Sequence, residues 1–475
     1  MTPIKTAAPW LFGDPAPNAL LARLLRPIDG AWLAALRVLL GVSLAVSMWR
    51  FTGADWIHRY FVEPRFFFKY WGFEWVGVLS ARGMQVLIWS LFALALCMAA
   101  GLLFRLSALL FTLGLVYLQL IDVATYLNHY YLAALLALLL ALSPAGRVWS
   151  IDAWLAQRLG RAQATNVSAV WLYLLRFQIG LVYVFAGLAK LQSDWLLHAQ
   201  PLRIWLGAST DLPVLGPLFT LPWVPLAMSW GGFLFDTFIV AFLLHPRTRL
   251  SAYGVLVVFH VLTRVLLPIG MFPVIMTVSA LVFLSPDWPR RWLGRLGRAL
   301  PASAAATSAT LAPRALQRFG LALAAGYCAL QLVLPLRYLA YGGNVLWHEQ
   351  GMRFGWRVMV RAKGGGTTFV VHSARLNHTW HVNPRDYLTR MQEAEMSSQP
   401  DLIVQLAQHI RRDFEQRGLG PVEVRADSRV ALNGRRSARL LDPRVDLGRV
   451  EDGLAKAPFV LPAPPEAPAH TRPVL

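Results

Sequence analysis

"LRFQIGLVYVFAGLAKLQSDW" (residues 175–195) reads as an apolar helix that ends on a lysine. The preceding residues are apolar as well, so the run 169–189 reaches the roughly 20 residues needed to cross the hydrocarbon core of a bilayer. Lys190 stands where the span should stop, just ahead of Ser193, Asp194 and Trp195. Arg176, Tyr183 and Lys190 recur every seven residues and therefore share one helix face. A polar stripe on a membrane helix faces its neighbours or a wet cavity, because lipid offers it no partner. Ala186 and Gly187, one turn before Lys190, leave room beside it.

The same apolar pattern recurs near 31–49, 85–104, 106–121, 130–144, 219–244, 251–267, 271–285 and 319–341. The shorter runs must borrow length from their flanks, and the expected fold is a polytopic α-helical membrane protein with about eight or nine transmembrane helices. Composition agrees. The 475 residues are 56% hydrophobic and 15% charged, well below the quarter charged that is typical of soluble domains. The net charge of +20 sits in loops between apolar runs. It is therefore read as loop charge against anionic membrane lipid, and no nucleic-acid partner is expected. Basic residues gather on the N-terminal side of the spans (Arg23, Arg26, Arg105, Arg147, Arg247, Arg290, Arg291), which predicts a cytoplasmic N-terminus. Cys97 and Cys328 lie inside apolar runs and read as small hydrophobes, so no disulfide and no metal site is expected.

The expected layout is an N-terminal cytoplasmic segment (1–30), a transmembrane domain (31–298), a linker (299–318) and a last span (319–341), then an extracytoplasmic α+β domain (342–450) and a Pro-rich tail (451–475) expected to be disordered. The linker contains "ALPASAAATSATLAP" (299–313). In the α+β domain, "WRVMVRAKGGGTTFVVHSARL" (356–376) reads as two strands joined by a turn at Gly364–Gly366. "PDLIVQLAQHIRRDFEQRG" (400–418) reads as an amphipathic helix stopped by Gly418, and "PVEVRADSRVALNG" (421–434) as a further strand. The aromatic stretch within 50–84 is expected to lie in the membrane interface.

Polar and ionisable groups in or beside spans are costly and mark candidate sites. They are Asp122, Asn128 and His129 in "IDVATYLNHYYL", Lys190 and Tyr183 in the opening stretch, Asp236 in "GGFLFDTF", and His260 and Arg264, at i and i+4, in "FHVLTRVLLPIGMF". Each also has a plain structural reading. Lys190 could snorkel, Asn128 cap a turn, Asp236 pair with an arginine, His260 sit satisfied in a core, and Arg176 brace the cytoplasmic end. With the N-terminus cytoplasmic, Lys190, the Asn128–His129 corner and the end of the seventh run all fall on the side of the α+β domain. A lysine desolvated beside small residues is available as an uncharged amine, hence as a general base.

These stretches resemble the vitamin K-dependent γ-carboxylases and the bacterial membrane proteins that share their transmembrane module. The similarity runs through "NHYYL" (128–132), "VYVFAGLAKLQSDW" (182–195), "GGFLFD" (231–236), "FH" (259–260), "IGMFPVIM" (269–276) and "SPDWPRR" (285–291). It continues in "RFGWRVMVR" (353–361) and "RLLDPRVDL" (439–447). The resemblance implies oxygen-dependent epoxidation of vitamin K hydroquinone, or of a related quinol such as menaquinol, coupled to γ-carboxylation of peptidyl glutamate by CO2. It implies Lys190 as the base, Asn128 and His129 as further catalytic residues, and His260 and Asp236 in the substrate or quinone pocket, where Tyr183, Arg264 and Asp122 are also expected as polar residues of the same spans. An isoprenoid quinol and a glutamate-containing peptide or protein are the implied partners, and the bacterial inner membrane, with the α+β domain periplasmic, the implied location. The chain departs from animal members in having Ala189-Lys190 where they carry paired lysines, Arg264 where they have a small polar residue, and no cysteine after Cys328. Quinol oxidation therefore carries over more directly than carboxylation. Two other readings are a quinol-dependent enzyme with a different substrate and a non-enzymatic transporter or scaffold. The sequence shows no internal repeat, which weighs against a transporter.

Overall fold

The computed structural model describes residues 17–53, 55–161, 164–295 and 314–469. The chain runs through α1 (Ala31–Gly53), α2 (Ala81–Ala100), α3 (Phe104–Ile121), α4 (Asn128–Leu142), α5 (Val170–Lys190), α6 (Val224–Leu244), α7 (Arg249–Leu266), α8 (Phe272–Ser279) and α9 (Arg314–Leu336). Among the described residues, seven helices are long and apolar enough to cross a membrane. They are α1, α2, α3, α5, α6, α7 and α9, the last extended by a 3₁₀ turn. The segment Phe272–Phe283 and the following helix Trp288–Arg295 meet at a 97° bend and form at most one further span.

The remaining two runs are helical but short. α4 has 15 residues, about 22 Å of helix against about 30 Å of hydrocarbon. α8 is shorter still. Local chemistry explains both starts. Leu127 is extended ahead of α4. Pro268 disfavours helix at the residue before it, and Leu267 is extended, so α7 stops. Gly270 then takes φ +59, a conformation L side chains seldom adopt, and turns the chain into α8. Two foreshortened helices starting on the same membrane face leave a recess at their N-terminal ends.

α1 and α5 form the centre of the bundle and are largely buried, whereas α9 is peripheral. Close helix approaches rest on glycine. A Cβ on Gly187 would lie 2.6 Å from the Thr237 hydroxyl and 3.0 Å from the Thr237 backbone nitrogen. Only glycine lets α5 meet α6 there, one turn from Lys190. Arg176 donates to the carbonyls of Val282, Phe283 and Leu284 and so braces the opposite end of α5, as its structural reading expects.

The C-terminal domain is a four-stranded antiparallel sheet ordered β2-β1-β3-β4, with β1 Lys363–Ser373, β2 His378–Val382, β3 Val422–Leu432 and β4 Ala438–Arg439. β1 and β3 pair along their full length, from Lys363↔Leu432 to Ser373↔Val422. Helices α10 (Arg390–Met396) and α11 (Pro400–Gln416) complete it. α11 buries Leu402, Ile403, Leu406, Ala407, Ile410 and Phe414, and the chain turns at Gly418 with φ +76, as the sequence predicts.

Three expectations are corrected. Gly364–Gly366 are not a turn: they lie inside β1, where a Cβ on Gly365 would run into the Arg429 carbonyl of β3. The described part of the 451–475 tail is not disordered, because Leu441 and Val460 form a bridge, Leu461 N donates to Leu440 O, and the Trp347 indole donates to Leu461 O. Leu440, just after β4, donates to Ser428 O of β3, so these tail residues line up beside the end of the sheet. Residues 314–318, expected in the linker, already belong to α9; most of the linker (299–313) and the end of the tail (470–475) lie outside the described residues. The aromatic 50–84 loop divides its roles. Phe68 is fully buried and Lys69 exchanges backbone hydrogen bonds with Gln405 of α11, while Trp71, Phe73 and Trp75 stay exposed.

Candidate functional site

Lys190 is the last residue of α5 and is 5% exposed. Its Nζ donates to Asp236 Oδ2 of α6 at 2.7 Å and to the Ala186 carbonyl at 3.2 Å. It lies 5.1 Å from the centre of the Trp195 ring. The Trp195 indole is itself fixed by donation to the Ser229 carbonyl at 2.8 Å. Lys190 therefore does not snorkel. It is held between a carboxylate and an aromatic face, and the Asp236 partner is a lysine where an arginine was the structural expectation.

These groups line a cavity of about 390 Å³ among α5, α6, α7 and α8. Tyr183 and His260 line it too, joined by a 2.8 Å hydrogen bond between Oη and Nε2. His260 Nδ1 is buried and has no hydrogen-bond partner among the described residues. Phe235 and Phe259 stack at 3.8 Å between ring centres on its wall. Val255, Val258 and Leu262, also on the wall, are exposed on the outer surface of α7. The cavity thus combines a buried ion pair with an apolar lining that reaches the lipid-facing side. Gly231, whose Cβ position meets nothing, sits on the same wall.

Asn128 and His129 do not share that chamber. They line a second one, of about 640 Å³, with Arg264, Arg50 and Tyr126. The two chambers have Ile269, Phe272, Val358 and Met359 in common, so a single layer of side chains separates them. His260 and Arg264, one turn apart on α7, face different chambers. Of the eight candidate site residues, four (Lys190, Asp236, Tyr183, His260) line the first chamber and three (Asn128, His129, Arg264) the second.

Asp122 lines neither. It is fully buried at the end of α3, where its carboxylate accepts from Ala124 N at 2.9 Å and from the Gln392 amide of α10 at 2.8 Å. The same amide donates to the Phe66 carbonyl. Asp122 therefore joins the bundle to the C-terminal domain. Burial pushes its carboxyl from an ordinary 3.8 up to about 6, against the Ala124 and Gln392 hydrogen bonds and the Lys69 ammonium. The folded chain thus holds this proton more tightly than the unfolded one. That contribution to stability is full below about pH 4 and is lost as pH rises through about 6. Two units correspond to about 3 kcal/mol. Amide exchange in the 58–80 loop and α10, corrected for its intrinsic pH dependence, is expected to be slower at pH 5 than at pH 7.5, and Asp122→Asn to flatten the difference. Equal pH dependence in wild type and variant would remove Asp122 as the responsible group.

Several contributors escape a search for polar residues in spans. Val358 and Met359 are apolar and come from outside the bundle. Asp194 was visible next to Lys190, yet its partner was not: Arg435 grips it through two bonds of 2.6 and 2.7 Å, and Asn433 adds a third at 3.0 Å. This clamp sets the C-terminal domain directly beside the Lys190 chamber. Tyr126 Oη accepts from Phe354 N, and Tyr131 stacks on Trp356, which anchors the chain just before Val358 and Met359.

Comparison with known families agrees with this architecture. Residues 25–288, more than half of the chain, match the HTTM domain, a membrane domain. Residues 316–466 match the vitamin K-dependent gamma-carboxylase, lumenal domain. No solved structure matches. The bundle that builds the Lys190 chamber and the sheet domain clamped over it are thus the two modules of one known arrangement, and the chain belongs to the vitamin K-dependent γ-carboxylase family.

Proposed function

We propose that the protein is a membrane enzyme that couples oxygen-dependent epoxidation of vitamin K hydroquinone, or a related quinol such as menaquinol, to γ-carboxylation of peptidyl glutamate, with Lys190 as the general base. The observation that carries this reading is the Lys190–Asp236 pair at the polar end of an otherwise apolar chamber that reaches the lipid side. The pair is net neutral, so it can be buried where a lone ammonium could not. Its shared proton has two places to sit, 2.7 Å apart. With that proton on Asp236, Lys190 is the free amine that can take a hydroxyl proton. The ammonium so formed then stays in contact with the oxyanion and stabilises it in a medium of low dielectric. Trp195, 5.1 Å from the amine, and the burial of Lys190 keep water from it. The bound quinol would supply the reducing equivalents and, with oxygen, the strong base for the γ-proton. Quinol, O2, CO2 and a glutamyl side chain together balance to epoxide, γ-carboxyglutamyl and water.

In this reading the N-terminus is cytoplasmic and the sheet domain faces the opposite side, in a bacterium the periplasm. Supporting this is the excess of basic residues on the N-terminal side. The test is the purified chain in nanodiscs with reduced vitamin K or menaquinol and oxygen. Epoxide is the expected product, with label from bicarbonate entering an added glutamate peptide. No epoxide from either quinol would overturn the reading; epoxide without label would leave a quinol oxidase acting on another substrate.

A further inference from the structure

The aromatic stretch "FFFKYWGFEW" (66–75) serves two surfaces. Residues 66–70 form no helix, and their side chains alternate. Phe66, Phe68 and Tyr70 pack into the apolar cluster built around the C-terminal domain, while Phe67 packs on the core of the helix bundle. Lys69 points the same way as Phe67: its Nζ donates to the Ile121 carbonyl at the end of α3 and to the Val76 carbonyl. The Lys69 backbone exchanges two bonds with the Gln405 side chain of α11, and that amide also donates to Asp452.

After Tyr70 the chain returns to the bundle. Val76 is buried in the bundle core, Val78 packs against it, and the Tyr117 hydroxyl donates to the Gly77 carbonyl at 2.7 Å. Tyr117 precedes the end of α3 by four residues, about 6 Å of helix. Gly77 therefore lies about one helical turn inside the end of that span, level with lipid rather than above it. In the same segment Trp71, Phe73, Trp75 and Leu79 are 57, 40, 78 and 46% exposed. Glu74, the acid among them, accepts from Gly72 N. The segment leads directly into α2, which starts at Ala81 and turns Val86 and Trp89 outward, so the patch continues the lipid-facing surface of that span. Such a patch in water would be a liability. At the headgroup–acyl boundary it is favoured, with the rings in apolar surroundings and the indole N–H groups in reach of water.

We propose that residues 71–79 are a membrane anchor for the C-terminal domain. Trp71, Phe73, Trp75 and Leu79 dip into the leaflet on that domain's side, and residues 66–70 carry the fixed point to α11. The partner is the lipid surface itself. The proposal goes beyond the carboxylase reading and does not depend on it.

The test uses the full chain in phosphatidylcholine nanodiscs. Trp75→Cys, in a background of Cys97→Ala and Cys328→Ala, takes a nitroxide whose collisions with oxygen and with a water-soluble nickel chelate are compared. Thr368→Cys, at an exposed position of β1, is the aqueous reference. Oxygen should be favoured at 75 and the chelate at 368. Chelate access at 75 equal to that at 368 would overturn the anchor. So would exclusion of both reagents at 75, which would show a protein surface, such as a second copy of the chain, covering the loop. The link to α11 is read by hydrogen exchange. Phe73→Ser with Trp75→Ser should speed exchange in 66–72 and the first half of α11 by about tenfold, the scale of losing one Phe-sized apolar contact, with α5 unchanged. Both side chains face outward, so these substitutions open no cavity. Phe73→Leu with Trp75→Phe should keep the protection, because apolarity rather than shape holds the loop. Unchanged exchange in the serine variant would overturn the link.

Discussion

Lys190→Ala is expected to lower epoxide formation by about 10²–10⁴-fold, the range over which a positioned general base contributes. The variant also strands Asp236, which is 6% exposed, in an apolar chamber. Removing one member of a buried pair costs on the order of 3–5 kcal/mol, so lost activity alone could reflect misfolding. Two further variants separate the causes. Lys190→Met combined with Asp236→Leu removes both charges and should restore thermal stability without activity. Lys190→Arg keeps a cation opposite Asp236 but cannot become an uncharged base, so it should fold and remain inactive. If Lys190→Arg turned over at the wild-type rate, the free amine could not be the proton acceptor, and Asp236 would have to take that role.

The second large effect concerns the clamp beside that chamber. Asp194 is 4% exposed and receives two of its three side-chain bonds from Arg435. Arg435→Ala leaves a buried carboxylate with Asn433 as its side-chain donor, and the expected loss is again about 3–5 kcal/mol. Because the clamp lies between domains, the loss should appear as faster hydrogen exchange around 353–361 and 429–441, ahead of exchange in α5. Val358 and Met359, which wall both chambers, are in the first of these segments, so epoxidation should fall as well. Arg435→Lys keeps the charge without the bidentate geometry and should be intermediate. Unchanged exchange at 353–361 in Arg435→Ala would show that the domain is held by its other contacts, such as Gln392 with Asp122 and Gln405 with Lys69.

Much of the molecule was legible residue by residue. Apolar runs became helices because a backbone in lipid must satisfy its own hydrogen bonds, and a run of Leu, Ala, Val and Phe meets that demand alone. Gly418 stopped α11 where only a residue tolerant of positive φ could. Arg176 and Asp122 looked alike as polar residues at helix ends, yet one caps carbonyls and the other ties two domains. Nothing local distinguishes those roles, since each depends on what lies opposite. The Gly364–Gly366 triplet misled for a related reason: glycine permits a turn, but here it permits two strands to approach.

By itself the sequence determined that this chain crosses a membrane many times, that Lys190 ends a span beside small residues, and that a compact α+β domain follows. Those properties follow from transfer energies and from the 3.6- and 2-residue periods, which any short window contains. Tertiary structure decided that Lys190 meets Asp236, 46 residues away, because bare backbone at Gly187 lets α5 touch α6 at Thr237. It also decided that the Asn128–His129 corner opens into its own chamber, because α4 and α8 are too short to fill the bilayer and residues from the far end of the chain close the gap. Such pairings depend on helix crossing and depth, which are set by contacts among distant segments.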